Sequence, residues 1–313
     1  MRLFMGETVI SKKMMTMTLK ISPFTIAMVL FLHSIAQPNP ITNLQPLGPV
    51  SHHYLDLQQL SSKPREAFSH MDKIAYPPAM YRSNTMLFAL MTPAYLTSDQ
   101  VDFLVSAVSF PANSSEQTRA ELDYLLQLQR ERTPDQVQRV MEIARVGYWP
   151  DAGMLPTHPR YDDNLQSLFF EVREVMGSGY KANQYPATTH LLKKAMVDMR
   201  LMEFAVKYHL LRARPYQLEP KLSPLREISS PSFASGHTLW AYVQALLFAE
   251  LIPEKRTAFL DLAYEIGVSR EIMGVHYPSD EETARQLAHR MVMLMWNTMS
   301  FQSDFIKAKE EWD

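Results

Sequence analysis

Four long segments with the same helical periodicity constrain the fold of this chain more than any other feature. Residues 190–215, 237–252, 255–274 and 280–299 carry apolar side chains at three- and four-residue intervals, which places them on one face of an α-helix. The sequence offers no convincing alternating strand pattern and no Asn-Gly hairpin signal. We therefore predict an all-α fold, a single-domain helical bundle.

Two upstream segments extend this helical pattern. Residues 116–132 place four leucines on a broad apolar face. Residues 133–147 begin with Thr133, a suitable N-cap, followed by Pro134, which is favoured at the first position of a helix. Both segments are predicted to be packed helices.

The first 36 residues have the character of a secretory signal peptide. Lys12, Lys13 and Lys20 precede the apolar run at 23–32, and small residues follow at 34–36. The run is shorter than the roughly 20 apolar residues that span a bilayer; a buried N-terminal helix is the alternative. We expect a periplasmic or secreted protein without a stable membrane span. Its predicted organisation is a signal peptide over 1–36, an N-terminal extension packing on the core over 37–115, and a catalytic helical domain over 116–313.

Composition excludes several classes of protein. The formal net charge of −2 provides no basic excess for binding a nucleic acid backbone. The chain has no cysteine, so thiolate catalysis and cysteine-ligated zinc are impossible. His158, Asp162 and Asp163 could suggest a metal site, but turn and capping roles explain them better. Nothing in the sequence decides whether the chain forms a homo-oligomer.

A first group of polar residues lies near the end of the segment 190–215. Lys207 and Arg214 are seven residues apart, or two helical turns, so both cations are predicted to project from one face before Pro215 ends the helix. Glu203 is spaced for an ion pair with Lys207. The pair could bind one anion, or it could form a solvated cationic stripe.

A second group lies at a predicted helix start. Ser235 and Gly236 precede His237, where unpaired backbone N–H groups and the positive end of the helix dipole favour an anion. The Pro- and Ser-containing stretch 216–233 reads as a loop that could cover the pocket.

A third group lies between two helical segments. Arg270 offers a fork of donors suited to phosphate oxygens. His276 precedes Pro278, and Asp280 falls in the first helical turn. The carboxylate can accept from one imidazole nitrogen and leave the other as a base or nucleophile. A structural His–Asp hydrogen bond beside a surface arginine is the alternative.

Taken together, the three groups resemble the signature of a known enzyme superfamily. Lys207-x6-Arg214-Pro215, Ser235-Gly236-His237 and Ser269-Arg270-x5-His276-x3-Asp280 occur in order. They resemble the phosphatidic acid phosphatase type 2 superfamily, which includes bacterial class A non-specific acid phosphatases, membrane lipid phosphatases and vanadium-dependent haloperoxidases. The helical patterns from about residue 120 resemble those of the class A enzymes. One departure is Ala234, where the superfamily usually has proline before Ser-Gly-His.

The resemblance implies a fold of the acid phosphatase and vanadium haloperoxidase type and a role for each matching residue. His276 would be the nucleophile that forms a phosphohistidine, Asp280 would hold its ring, and His237 would be the acid and base for the leaving group and water. The phosphate would be bound by a set of polar residues, namely Lys207, Arg214, Ser235, Gly236 and Arg270. No metal or cofactor would be needed.

The resemblance therefore implies an exported acid phosphatase that hydrolyses small-molecule phosphate monoesters. Because a carboxylate neighbour favours imidazolium, we expect a mildly acidic optimum. The alternatives are a vanadium-dependent haloperoxidase, since vanadate mimics the phosphoryl transition state, and a non-catalytic phosphate- or phospholipid-binding protein. Charges in the motif helices disfavour a membrane lipid phosphatase.

Overall fold

The computed structural model describes residues 52–81, 83–144, 154–168 and 170–313, which all belong to one unit, Pro40–Asp313. The predicted signal peptide, residues 1–36, lies outside these ranges and stays a prediction. Among the helices that the structure describes, none has the length and apolar character needed to cross a membrane.

The described residues form thirteen α-helices joined by loops and short 3-10 turns. In chain order the helices are α1 (His52–Leu57), α2 (Ser83–Phe88), α3 (Ser98–Ser106), α4 (Glu116–Glu131), α5 (Pro134–Ile143), α6 (Tyr161–Leu168), α7 (Phe170–Met176), α8 (Pro186–Leu210), α9 (Pro215–Leu218), α10 (Gly236–Leu251), α11 (Arg256–Ile272), α12 (Pro278–Trp296) and α13 (Met299–Lys309). An isolated antiparallel bridge joins Ala75 to Arg212, and the described ranges contain no strand. The all-α prediction is confirmed; the predicted domain boundaries stay predictions.

Helix α10 runs through the centre of the hydrophobic core. Of its 16 residues, all but His237 and Glu250 are buried. The helix packs against α8, α11 and α12, and a helix that is apolar on all sides must be enclosed in this way. Each large side chain such as Trp240 or Phe248, both buried, contributes about 1.5–3 kcal/mol on burial. The core therefore fixes the helix whose first turn carries His237.

Local sequence signals set where two upstream helices begin. Thr133 caps α5 in a reciprocal arrangement, since its side chain accepts from the Gln136 backbone N–H and the Gln136 side chain accepts from the Thr133 N–H. Pro134 is the first residue of this helix, as predicted. Helix α4 begins after Ser115, whose hydroxyl accepts from the backbone N–H of Thr118.

The prediction that Lys207 and Arg214 share one helical face is wrong. Helix α8 ends at Leu210 because Leu211 adopts a left-handed conformation with φ 53°. The chain then turns, and the Leu211 carbonyl accepts from the Tyr76 N–H at 2.8 Å. Arg214 is extended, and Pro215 begins α9 instead of ending α8. The two cations therefore come from separate elements.

Asp198, on α8, ties the segment before α3 to the core. Its carboxylate accepts from three consecutive backbone N–H groups, those of Ala94, Tyr95 and Leu96. The Asp198 side chain is buried. A buried carboxylate needs such donors, because a buried carboxylate or a buried N–H group without a hydrogen-bond partner costs free energy.

Replacing Asp198 with alanine is expected to lower the free energy of unfolding by about 2–4 kcal/mol, because three backbone donors lose their acceptor. Urea unfolding measures the change. Asp102→Ala is the matched control, since Asp102 is exposed and its loss should cost less than about 0.5 kcal/mol. Equal effects of the two substitutions would contradict the tethering role of Asp198.

Candidate functional site

One cavity of about 150 Å³ brings together residues from all three predicted groups. Its lining includes six of the eight predicted site residues, which are Lys207, Arg214, Gly236, His237, Arg270 and His276. Asp280 lies behind His276 and contacts its ring. Ser235 does not line the cavity: its hydroxyl donates to Thr238 Oγ1 at 3.2 Å.

Four backbone elements meet at this cavity. Lys207 lies in the last turn of α8 and Arg270 in the last turn of α11. Gly236 and His237 form the start of α10, so the unpaired N–H groups of that helix face the same region. After α11 the chain turns at Gly274, which has φ +73°, a conformation that favours glycine. This turn brings His276 to the cavity.

The contacts of His276 define its tautomer. Its Nε2 lies 3.0 Å from Nη1 of Arg214, and a guanidinium can only donate, so Nε2 is the acceptor. The proton is therefore on Nδ1, which donates to Asp280 Oδ2 at 3.1 Å. Ser232 donates to the same carboxylate oxygen at 2.5 Å. The arrangement directs the Nε2 lone pair away from Asp280 and toward Arg214, which lines the same cavity.

Both histidines are held in the neutral form. Burial and the Arg214 guanidinium lower the pKa of His276 well below its ordinary value, although Asp280 acts in the opposite direction. Burial and Arg270 lower the pKa of His237 in the same way. Asp280 does favour imidazolium, but burial and nearby cations outweigh it and set the direction of the His276 pKa. The mildly acidic optimum stays a prediction.

Lys207 uses its ammonium group on the loop that precedes α10. Its Nζ donates to the carbonyls of Pro231, Ser232 and Ala234 at 2.8–3.0 Å, and Glu203 Oε1 lies 4.0 Å away. Burial, followed by the charge of Arg214, lowers the pKa of Lys207 to about 7. Lys207 thus holds the loop around Ala234 while contributing positive charge to the cavity.

Arg214 is similarly engaged with the loop. Its Nε and Nη2 donate to the carbonyls of Ser230 and Pro231, and its Nη1 donates to the Val275 carbonyl at 2.8 Å. These contacts fix the guanidinium beside Nε2 of His276. Because the guanidinium is planar and rigid, its position determines the direction in which its N–H groups point toward an incoming oxyanion.

Arg212 is a buried partner of Asp280 that the sequence patterns did not reveal. Its Nη1 donates to Asp280 Oδ1 at 2.6 Å, and its Nη2 contacts Glu121 Oε2 at 3.3 Å. Its guanidinium lies 3.8 Å from the ring centroid of Tyr277. The Arg212 charge, together with hydrogen bonds from His276 and Ser232, lowers the pKa of Asp280 despite burial. Asp280 is therefore a carboxylate.

The rim of the cavity comes from three other parts of the chain. Residues 226–230, within the predicted covering loop, line it together with Thr85 and Ala144. Tyr216 donates to the Ile228 carbonyl and accepts from the Ile228 N–H, which holds this loop. Thr85 hydrogen-bonds the Tyr208 hydroxyl at 2.6 Å. No sequence motif indicated Thr85, which lies before the first predicted helix at residue 116.

The arrangement suits a small anion with several oxygens. Four cationic side chains line the cavity together with the start of α10, namely Lys207, Arg214, Arg226 and Arg270. The two imidazoles that line it favour the neutral form. In the part of the chain that the structure describes, no cluster of three or more potential metal ligands occurs. The cationic side chains and the N–H groups of α10 are suited to stabilising negative charge on such an anion.

Comparisons with known proteins agree with this geometry. The PAP2 superfamily pattern matches residues 190–304, and the resemblance to the phosphatidic acid phosphatase type 2 superfamily is confirmed. A non-specific acid phosphatase from Providencia stuartii is 39% identical over 80 residues, covering 26% of this chain and 32% of that protein. The Salmonella typhimurium non-specific acid phosphatase is 28% identical over 156 residues, covering 48% and 61%. The matches thus span about a third to three fifths of these relatives.

A solved structure shares the fold. The crystal structure of a bacterial vanadium-dependent iodoperoxidase superposes with a TM-score of 0.54, covering 79% of this chain and 64% of the other, at 14% identity. At this identity the likeness concerns the fold alone. It agrees with the predicted helical fold of the acid phosphatase and haloperoxidase type.

Replacing Arg212 with methionine is expected to lower the free energy of unfolding by about 3–5 kcal/mol, because Glu121 and Asp280 are left as buried carboxylates without their cation. Chemical unfolding at neutral pH measures the change.

Arg119→Met is the matched control. Arg119 forms ion pairs with Asp123 and Glu219, but its side chain is 55% exposed, so the loss should be below about 1 kcal/mol. If both variants lose a similar free energy of unfolding, burial does not make the Arg212 ion pairs more important for stability than exposed ones.

Proposed function

We propose that this protein is an acid phosphatase that hydrolyses small-molecule phosphate monoesters through a phosphohistidine intermediate. The single observation that carries the proposal is the convergence of His237 and His276 with the cations of the motif, Lys207, Arg214 and Arg270, on one cavity. Similarity to proteins named non-specific acid phosphatases supports it. Phosphoryl transfer depends chiefly on positioning and on charge stabilisation of the phosphoryl oxygens, and this cavity offers both.

In the proposed complex the phosphate group occupies the region between His237 and His276. Arg270 and the N–H groups at the start of α10 donate to its oxygens. Arg214 turns the Nη1 proton that contacts His276 Nε2 toward a phosphoryl oxygen, which frees the Nε2 lone pair for attack. Lys207 adds positive charge and keeps the loop at 231–234 in place, since its protons are already donated to carbonyls of that loop. Ser235 supports the helix start from behind the cavity.

The proposed reaction has two steps. Nε2 of His276 attacks phosphorus while the ester P–O bond breaks, and His237, protonated in the substrate complex, gives its proton to the leaving oxygen. His237 then takes a proton from water as the water oxygen attacks phosphorus, and the P–N bond breaks to release phosphate. Asp280 accepts from Nδ1 of His276 throughout, which stabilises the positive charge on the ring during attack.

Binding of the substrate supplies the change in protonation that His237 requires. Arg270 and the other cations lower its pKa in the empty cavity. A phosphate dianion neutralises these cations and favours the imidazolium form. The two histidines can thus hold different protonation states in the same complex.

We assign residues 1–36 to a signal peptide, which implies export to the periplasm or the exterior. The catalytic helical domain covers residues 116–313, and residues 37–115 form an extension that packs on it. The many contacts between the two parts, such as those of Asp198 with residues 94–96, support joint folding.

Hydrolysis of a chromogenic aryl phosphate in the presence of a metal chelator tests the function. We expect unchanged activity with chelator, and a loss of about 10³-fold or more in kcat for His276→Ala because the nucleophile is removed. A phosphoprotein that is trapped by rapid denaturation and is both acid-labile and base-stable identifies the phosphohistidine.

Three outcomes would contradict this proposal. Chelator-sensitive turnover would indicate a metal mechanism. Halide oxidation that depends on vanadate and peroxide, with negligible phosphatase turnover, would indicate a haloperoxidase. Phosphate affinity without turnover, retained in His276→Ala, would indicate a binding protein.

The acid limb of kcat/KM is expected to lie below pH 6.5, the ordinary pKa of histidine. The reason is that His276 must be neutral to attack, and its pKa is lowered, so it stays neutral as the pH falls until that lower value is reached. A pH series of kcat/KM measures this. A limb above the ordinary histidine pKa would contradict the environment found for His276.

A further inference from the structure

Glu281, the residue after Asp280, contacts the turn that carries His237. Its Oε2 accepts a hydrogen bond from Thr238 Oγ1, and Thr238 Oγ1 in turn accepts from Ser235 Oγ at 3.2 Å. The Ser235 backbone N–H donates to the Asp280 carbonyl at 3.3 Å. The first turn of α12 therefore holds both ends of the segment 235–238.

Glu281 is enclosed together with a second acid. Its side chain and that of Glu271 are buried, at 7% and 3% residue exposure, and both line a small cavity of about 30 Å³. Among the described residues, neither Glu281 Oε1 nor Glu271 Oε2 has a hydrogen-bond partner. Helix α11 closes the site at Gly267, where an added Cβ would stand 3.4 Å from Thr238 Oγ1.

Asp280 and Glu281 have opposite electrostatic surroundings although they are neighbours. Asp280 has an ion pair with Arg212 at 2.6 Å. The arginine nearest to Glu281 along α12, Arg285, is engaged with Glu282 through two contacts of 2.7 Å. Burial raises the pKa of Glu281 well above its ordinary value, and Glu271 and Asp280 add to that rise. Burial also raises the pKa of Glu271 to about 8.

The groups that face this acid pair come from five helices. They are Tyr54 on α1, Glu121 and Tyr124 on α4, Tyr242 on α10, Tyr264 on α11, and Asp280, Glu282 and Arg285 on α12. The Tyr124 hydroxyl donates to Glu271. Among the residues that the structure describes, no lysine or arginine forms an ion pair with Glu281, so a charged carboxylate there would be costly.

We propose that Glu281 is a positioning residue, which as an uncharged carboxyl group orients the His237 turn through Thr238 and Ser235, while Asp280 as a carboxylate orients His276. This inference rests on the proposed phosphatase function. The first turn of α12 thereby sets the position of both histidines, one through a charged group and the other through a neutral group. A neutral group suits the second task because it leaves the protonation of His237 to the phosphate.

Three variants test the proposal through activity. Glu281→Gln keeps an oxygen that accepts from Thr238 and is expected to retain kcat within about threefold. Glu281→Leu keeps bulk but has no acceptor, and its kcat is expected to fall by about tenfold or more with KM little changed. Asp280→Asn is the comparison, with a large loss because its charge is needed. The proposal would be overturned if Glu281→Gln lowered kcat as much as Asp280→Asn does. It would also be overturned if Glu281→Leu kept the kcat of the parent protein.

Thermal unfolding tests the neutral state without any enzymatic assay. The folded-state pKa of Glu281 is raised, so its contribution to stability is present below the unfolded pKa and is lost as the pH rises toward the folded value. The melting temperature of Glu281→Gln should therefore match that of the parent near pH 4 and exceed it increasingly toward about pH 8. Glu282→Gln, the same change one residue away, should show no such gain because Glu282 has Arg285 as its partner.

Imidazole resonances separate failure of this proposal from failure of the proposed function. In histidine-labelled protein with bound inorganic phosphate, the His237 titration should shift in Glu281→Leu and stay unchanged in Glu281→Gln. This readout stands even if the parent protein hydrolyses no ester. An unchanged His237 titration in Glu281→Leu, or stabilisation of the parent by Ca²⁺ or Mg²⁺ that Glu281→Gln abolishes, would overturn the positioning role, because the carboxylate would then be charged.

Discussion

The buried ion pair between Arg212 and Asp280 is the interaction on which the geometry of the site depends. One oxygen of Asp280 receives Arg212, and the other receives His276, Ser232 and the Tyr277 N–H. A single carboxylate thus joins the chain after α8, the loop before α10 and the start of α12. Buried ion pairs contribute less to stability than to geometric specificity, because desolvation offsets much of their attraction. Here that specificity fixes the histidine tautomer.

The cationic side chains of the cavity also organise the protein itself. Lys207 and Arg214 donate to five carbonyls in all, four of them in the segment 230–234 and the fifth that of Val275. The residues that provide positive charge for an anion therefore also shape the backbone around it. Such preorganisation reduces the rearrangement that binding requires.

Periodicity and motif spacing predicted most of the helices and the residues that meet in the cavity. The start of α5 at Thr133 and the His276–Asp280 contact followed from local rules that act over four residues. The end of α8 could not be predicted in this way, because the left-handed Leu211 is set by pairing with residues 75–76, far away in sequence. The roles of Arg212 and Glu121 could not be predicted for the same reason, because their partners are brought together only by folding.

Electrostatic states were harder to predict than positions. A carboxylate beside His276 suggested a raised pKa, yet burial and Arg214 reverse the direction. Likewise the adjacent acids Asp280 and Glu281 look equivalent in sequence and differ because only one has an arginine partner. Desolvation depends on the complete packing around a group, which no short motif records.

The isolated bridge between Ala75 and Arg212 has a practical consequence for how this protein is divided. A fragment beginning at residue 116 would retain every residue of the three motifs, yet it would lack Thr85 from the cavity rim and the backbone partner that accompanies the left-handed turn after α8. The stretch that carries the recognisable motifs is thus smaller than the stretch that builds the cavity. Expression of the motif region alone would separate the reactive groups from part of the scaffold that aligns them.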